Sequence, residues 1–348
     1  MNNKIKWGVI GSGGIARKRT IPEGIIPARN AELAAVYDIN AAVNKEVAQQ
    51  FGVHAAESID ELLTSDVNAV YIATPANRHC EQTLACAEAK KHVLCEKPLG
   101  MTIEETHEML SACKKAKVEL GTAFMMRFQA QHQAALKMIQ SGRIGEPVYA
   151  RAQLSGWYPP IEGAWRQDPR QGGGGSLMDM GIHCIDLLEM FFGKVKQVSC
   201  FINNTIHHYK SEDSAVAMLY FENGAIGTVD TFFCIPSNSS KNVLELYGSK
   251  GSILARRTLG QGGQAGEMTA FLEETQADYN SQQARPQGDG IKITPEPVNM
   301  YKAEIEEFSQ AILDNRRPSN GSEIGIRSQK ILAACYKSAW TDNVIKSE

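Results

Sequence analysis

The chain has 348 residues, 43% apolar and 22% charged, with a formal net charge of -3. That length exceeds what one hydrophobic core usually serves and favours two domains. Without a long run of Lys or Arg there is no electrostatic footprint for nucleic acid or an anionic membrane, and no eighteen-residue apolar run crosses a bilayer. Eight cysteines, at 80, 86, 95, 113, 184, 200, 234 and 335, form no C-x-x-C pair and mostly lie in apolar runs. They predict reduced core residues with no disulfide and no metal site. The N-terminal "MNNKIKWGVIGSGG" has no apolar region ahead of a cleavage site, which also predicts a cytoplasmic protein.

From the N-terminus, short β-type runs alternate with helical patterns: "IKWGVIG" before a glycine turn and a helix, "AELAAVYDI" before "AAVNKEVAQQFG", "AVYIATP" before "EQTLACAEAKK", "HVLCEKPL" before "IEETHEMLSACKKAK", then "VELGTAF". This alternation predicts a parallel sheet with crossover helices over residues 1–124. Beyond residue 125 the pattern changes. Helix "AQHQAALKMIQSG" precedes "PVYARAQLSGW", and from 194 onward longer alternating stretches follow, with a hairpin turn at Asn223-Gly224 and a second hairpin in "NVLELYGSKGSILARR". Residues 125–348 therefore read as a second α/β domain with a mostly antiparallel sheet. Gly260 to Asp289 reads as long hairpins or a loose loop, and two amphipathic helices, "YKAEIEEFSQAILDN" and "IGIRSQKILAACYKSAW", end the chain, with room to pack back on the first domain.

Gly11-x-Gly13-x-x-Ala16 follows the first strand and opens a helix. Glycine there permits a tight turn, close approach to a pyrophosphate and close helix packing, while N–H groups at the helix start hold phosphate. Asp38 ends the second strand, where an acid accepts from the adenosine ribose hydroxyls. Its alternative is a helix cap, a task Asn40 fills as well. No arginine follows Asp38 to welcome a 2'-phosphate, so NAD is favoured over NADP. Lys97, in "CEKPLG", stands just past the carboxyl end of a parallel strand, where α/β sheets bind ligands; otherwise it is a solvated loop lysine.

The stretch "MDMGIHCIDLLEMFFG" carries Asp179, His183 and Asp186 at intervals of four and three on an otherwise apolar helix, which puts them on one face. Ser176-x-x-Asp179 matches a capping box, which offers Asp179 a structural role. His183 has no such explanation beyond that of a satisfied core histidine, and a buried ionisable line is costly unless it faces a polar cavity.

Together, Gly11-Ser12-Gly13-Gly14-Ile15-Ala16, Thr74-Pro75 with His79, Glu96-Lys97-Pro98, and the glycine-rich run into Asp179-x-x-x-His183 resemble the glucose-fructose oxidoreductase, inositol dehydrogenase and rhizopine-catabolism (Gfo/Idh/MocA) family. The resemblance extends over nearly the whole chain. It implies an N-terminal Rossmann domain, a C-terminal α/β domain with a large open sheet that often forms the oligomer interface, and hydride transfer between a nicotinamide and a secondary alcohol of a sugar or cyclitol. By the same resemblance Lys97 hydrogen-bonds the reacting oxygen, Asp179 orients substrate and lysine, and His183 is the general acid/base. Cofactor contacts are expected from residues 11–16, Asp38, Thr74, Pro75, Asn77, His79, Glu96, Lys97, Trp165 and Arg166. Substrate contacts are expected from Lys97, Arg127, Tyr158, Asp179, His183 and Tyr301.

Many family members carry Asn directly after Thr-Pro, whereas this chain has Ala76 and then Asn77. The loop "GWYPPIEGAWRQDP" is similar to the 1,5-anhydrofructose reductase branch, in which a Trp-Arg pair lies by the cofactor. That branch favours NADPH and lacks an acid at the position of Asp38. Trp157, Tyr158 and Trp165 offer faces for a sugar ring, and the nearby Arg151, Arg166 and Arg170 are offset by Glu162 and Asp168, so a substrate without phosphate is expected. A homodimer or homotetramer is expected, because "SAVAMLYFENGAIGTVDTFF" is apolar on both alternating sets. The competing readings are a redox-assisted glycosidase, a diol or imine reductase, and a non-catalytic NAD-binding regulator; a proton relay at Lys97 and His183 speaks against the last.

Overall fold

The computed structural model describes residues 4–262, 266–273 and 288–347. The chain forms two compact units, one of Met1–Phe128, Glu162–Gly174 and Val298–Ala333, the other of Gln129–Ile161, Gly175–Pro297 and Ala334–Glu348. In chain order the α-helices are α1 (Ala41–Phe51), α2 (Ile59–Thr64), α3 (His79–Glu88), α4 (Ile103–Ala116), α5 (Ala130–Gln140), α6 (Pro169–Gly172), α7 (Ile182–Phe192), α8 (Met300–Leu313) and α9 (Ser322–Thr341). No helix among the described residues is long and apolar enough to cross a membrane.

The first unit is built on six parallel strands, β1 (Ile5–Ile10), β2 (Ala31–Tyr37), β3 (His54–Ala55), β4 (Ala69–Ile72), β5 (His92–Glu96) and β6 (Leu120–Ala123), in the order β3-β2-β1-β4-β5-β6. Strands β1, β4 and β6 are buried along almost their whole length, because helices cover both faces, which is why they read as continuous apolar runs. The strand order reverses between β1 and β4. Their carboxyl ends therefore flank the switch point at which such sheets bind ligands.

Two elements of this unit escape the sequence reading: the two-residue β3, and α2 with its Ser58 cap, both too short to show a period. The helix after the glycine turn, Ala16–Ile25, is wound with π-type turns and contains Pro22. Its Gly24 lets α8 approach, since a Cβ there would lie 3.2 Å from the Tyr301 carbonyl oxygen. From α8, Phe308 packs on Trp7 with ring centroids 5.7 Å apart, and Ser309 accepts from the Trp7 indole at 3.1 Å.

The second unit carries a nine-stranded sheet of β7 (Pro147–Ser155), β8 (Val195–Asn203), β9 (Ser214–Phe221), β10 (Ile226–Phe232), β11 (Val243–Gly248), β12 (Gly251–Arg256), β13 (Glu267–Leu272), β14 (Ile291–Lys292) and β15 (Ile345–Lys346). Its order is β14-β13-β12-β11-β7-β10-β9-β8-β15, and every pairing except β7 with β10 is antiparallel. Both predicted hairpins form. Gly224 takes φ 89° in the first, and Asn223 accepts from the Ala225 N–H at 3.1 Å. Of the stretch Gly260 to Asp289, residues 263–265 and 274–287 lie outside the described residues, and Glu267–Leu272 is strand β13.

In strand β9 the two apolar alternating sets lie on opposite faces of the sheet. Ala215, Ala217, Leu219 and Phe221 are buried, whereas Val216, Met218 and Tyr220 stand 37%, 55% and 39% exposed on the opposite face. Phe201 and Ile226, in register with Val216 and Tyr220, share that face.

Candidate active site

The glycine turn after β1 is fixed by sterics. Gly11 takes φ +81°, and a Cβ there would meet the Ala73 carbonyl carbon at 2.8 Å and Thr74 Cγ2 at 2.9 Å. The Gly11 and Ser12 N–H groups donate to the Tyr37 carbonyl at 2.9 and 3.2 Å. The Asp38 carboxylate accepts from Gly13 N–H at 3.0 Å through one oxygen and from Asn40 N–H at 2.9 Å through the other. Asn40 itself caps α1, accepting from Ala42 and Val43 N–H, so the cap does not need Asp38. Ser12 is fully buried, and its Oγ has no hydrogen-bond partner among the described residues. A turn that admits no side chain at Gly11, an orphaned hydroxyl and an anchored carboxylate are features that could hold a dinucleotide. Gly14 and Ile15 continue this turn into Ala16 and the π-wound helix.

From β4 to the end of β5 a hydrogen-bond chain leads to the Lys97 backbone. Thr20 donates to the Tyr71 hydroxyl at 3.0 Å, and Tyr71 donates to Glu96 Oε1 at 2.5 Å, the separation of a charge-assisted bond. The other Glu96 oxygen accepts from Lys97 N–H at 3.2 Å. Burial, reinforced by the Glu96 charge, holds the Tyr71 phenol far above its ordinary range, so it stays a donor. Burial also raises Glu96, opposed by the Lys97 ammonium, the Tyr71 hydroxyl and the Arg166 guanidinium. Tyr301 is 2% exposed with a hydroxyl that has no hydrogen-bond partner among the described residues; burial and the nearby Glu96 charge push it up. His79 is a staple: Nδ1 lies 2.8 Å from the Pro98 carbonyl and Nε2 3.0 Å from that of Thr74, tying the turn after β4 to the turn after β5. Burial lowers its pKa despite those carbonyls. Thr74 donates to Gln82 at 2.7 Å, Pro75 is half-buried and Asn77 is exposed.

Trp165 and Arg166 form a short turn in the same unit, with the guanidinium carbon 4.2 Å from the Trp165 ring centre. Arg127, also in that unit, is half-buried in the turn Met125–Phe128. Tyr158, in the second unit, lays its ring on Phe233 with centroids 5.0 Å apart, and its carbonyl accepts from the Tyr209 hydroxyl at 3.2 Å.

In the second unit, Asp179 is half-buried, and His183 and Asp186 are buried at 6% and 1% exposure. His183 and Asp186 belong to α7, while Asp179 lies in a preceding π-wound segment, Leu177–Gly181. The even helical spacing read from the sequence is therefore broken between Asp179 and His183, because the widened turn inserts an extra residue. The capping box is also corrected. Ser176 is already helical, with φ -61° and ψ -35°, and makes no cap; its hydroxyl donates to the Thr231 carbonyl at 3.1 Å. The cap is Glu212. Its carboxylate accepts from Gly175 N–H at 2.8 Å, Leu177 N–H at 3.0 Å and the Tyr336 hydroxyl at 2.9 Å. Sequence reasoning missed Glu212 and Tyr71. The available signals were an acid pair at the head of an apolar strand, and one hydroxyl in a strand buried on both faces, which must find a partner.

Residues 5–124 match the family model for an oxidoreductase family with an NAD-binding Rossmann fold, and residues 132–254 match the Gfo/Idh/MocA C-terminal domain. The chain is 31% identical to 1,5-anhydro-D-fructose reductase of Ensifer adhaerens, over 99% of this chain and 98% of that protein. It is 32% identical to myo-inositol 2-dehydrogenase of Thermotoga maritima, over 99% of each. Among solved structures, levoglucosan dehydrogenase in complex with NADH and levoglucosan matches with a TM-score of 0.83 at 25% identity, covering 99% of this chain and 100% of that one.

Proposed function

Since the chain belongs to the Gfo/Idh/MocA oxidoreductases, we propose that it transfers a hydride between NAD and a secondary alcohol or ketone of a neutral sugar or cyclitol. The observation that carries the reading is the Asp38 carboxylate, held by Gly13 and Asn40 N–H at the end of β2 beside a turn that admits no side chain at Gly11. Both oxygens keep lone pairs for a ribose diol, and their charge repels a 2'-phosphate. The 1,5-anhydro-D-fructose reductase and myo-inositol 2-dehydrogenase relatives support a cyclic polyol as substrate.

The bound nicotinamide supplies or accepts the hydride. Oxidation of an alcohol must also release the hydroxyl proton, and the His183 imidazole, with ring nitrogens able to take up and hand on a proton, is the group to take it. The Lys97 ammonium stabilises negative charge developing on the reacting oxygen, and Asp179 orients the substrate hydroxyls. Glu96, fixed by Tyr71 and by the Lys97 N–H, sets the backbone from which Lys97 extends.

Two further parts of the reading concern assembly and location. A second copy covers the sheet face that bears Phe201, Val216, Met218, Tyr220 and Ile226, giving a homodimer or homotetramer. On the same face Asp230 takes a bidentate contact from Arg151 at 3.0 and 3.1 Å, so charge there is already paired before burial. The free cysteines, most of them buried, suit a cytoplasmic enzyme.

The test is a panel of neutral sugars, cyclitols and their phosphate esters, each with NAD and with NADP, followed by absorbance of the reduced nicotinamide. Turnover of a neutral polyol with NAD is expected. Turnover of phosphate esters alone would overturn the substrate class.

A further inference from the structure

We infer that Glu212 is a positioning residue for the reaction: one buried carboxylate, anchored by Tyr336, fixes the start of the helical segment that carries Asp179 and His183. The inference rests on the roles given to those two side chains above. Three consecutive N–H groups at the start of that segment, those of Gly175, Ser176 and Leu177, end on Glu212. Gly175 N–H donates to one carboxylate oxygen and Leu177 N–H to the other, while Ser176 N–H donates to the Glu212 backbone carbonyl at 3.1 Å. The first helical bond then runs from Asp179 N–H to the Gly175 carbonyl at 2.9 Å. Asp179 is thus placed by the same turn that Glu212 holds.

The fit leaves no slack. A Cβ on Gly175 would lie 1.8 Å from the Glu212 carbonyl oxygen, so the chain reaches the carboxylate only because residue 175 has no side chain. Glu212 is itself held from behind. The neighbouring Asp213 carboxylate accepts from Thr205, Ile206 and His207 N–H and from the Ser214 hydroxyl, and its backbone carbonyl accepts from Phe233 N–H at 2.7 Å. A helix start leaves N–H groups without internal partners, and a carboxylate there also complements the helix dipole. An ordinary cap satisfies one or two of those donors from the adjacent residue. Here a residue 35 positions away from Leu177 satisfies three of them, which locks the segment to the chain just ahead of strand β9 rather than to its own loop.

Replacing Glu212 by Gln keeps the size but turns one oxygen into an NH2 group, which faces a backbone N–H that needs an acceptor. The π-wound turn then shifts, and Asp179 and His183 with it. Tyr336→Phe is the milder change, because both backbone contacts survive and only the brace behind the carboxylate is lost. Steady-state kinetics, NAD binding by fluorescence titration and thermal unfolding are measured for Glu212→Gln, Tyr336→Phe and His183→Ala side by side. The expected result is a kcat lowered tenfold or more in Glu212→Gln and about threefold in Tyr336→Phe, with the Kd for NAD within twofold of wild type in both. Were Glu212→Gln to fail to fold, Tyr336→Phe alone decides. A lowered Tm with unchanged kcat would make the contact structural only and overturn the inference. Unchanged turnover in His183→Ala would instead remove the reading of the site on which it rests.

Discussion

Replacing Gly11 by alanine is expected to do far more than the same change three residues on. At Gly11 the backbone is left-handed, φ +81°, and the added methyl would meet Ala73 backbone carbon and oxygen at 2.8 and 2.9 Å and Thr74 Cγ2 at 2.9 Å. The conformation costs about 1–2 kcal/mol for any residue with a Cβ. The overlap, against backbone that cannot rotate away, adds about 1–3 kcal/mol. Gly14 is also left-handed, φ +42°, but a Cβ there has nothing within 4 Å, so only the first cost applies. At about 2–4 °C per kcal/mol for a unit of this size, Gly11→Ala should lower Tm by about 4–20 °C and Gly14→Ala by about 2–8 °C. Because the overlap falls on Ala73 and Thr74, Gly11→Ala should also weaken NAD binding by the larger factor. Circular dichroism melts and fluorescence titration with NAD read both effects. Equal Tm and equal NAD affinity in the two variants would refute the steric argument.

The remaining expectations concern cofactor, chemistry, pH and assembly. Asp38→Ser should weaken NAD about ten- to a hundredfold, as expected for losing charge-assisted hydrogen bonds, and narrow the preference over NADP; wild-type kcat/KM equal for both cofactors would contradict it. Lys97→Ala and His183→Ala should each lower kcat by about a hundred- to ten-thousandfold with NAD binding kept, and near-normal turnover in either removes that residue from the chemistry. Burial holds Glu96 protonated to higher pH in the folded protein than in the unfolded chain. Its stabilising contribution is therefore complete below about pH 4.3 and is lost as pH rises through the folded pKa. Relative to Glu96→Gln, wild type should lose stability over that interval at up to about 1.4 kcal/mol per pH unit; denaturant melts with a pH-independent difference would refute it. Met218→Lys, on the exposed face of β9, should shift light-scattering mass toward monomer, and a monomeric wild type at micromolar concentration would contradict the proposed assembly.

What could be read from the sequence was local. The glycine turn, the acid at the end of β2, the lysine after β5 and the Asn223-Gly224 hairpin each declare themselves within a few residues. The failures share the opposite property. Glu212 reaches Gly175 across 37 positions and Tyr336 reaches Glu212 across 124, so the nearer Ser176 was the natural candidate for the cap. Its backbone is helical, however, and a cap must stand outside the helix. Tyr71 meets Glu96 only because β4 and β5 lie side by side. The π-wound turns leave no periodic trace in composition, since they differ from an α-helix by a single residue.

The way α8 closes the first unit bears on the order in which the protein is made. Phe308 sits against Trp7 and fills the space over Gly121, where a Cβ would lie 2.6 Å from its ring, and Asn320 supplies the carbonyl that accepts from Thr122 N–H at 2.9 Å. A nascent chain that has emerged only as far as β6 has all six strands of the first sheet and still lacks part of its core. Closure waits for some 180 further residues, a long-range contact of the kind that slows folding and leaves apolar surface exposed meanwhile. A ribosome-release series should therefore show protease resistance of the first sheet arising only after α8 clears the exit tunnel, although every strand of that sheet was synthesised long before.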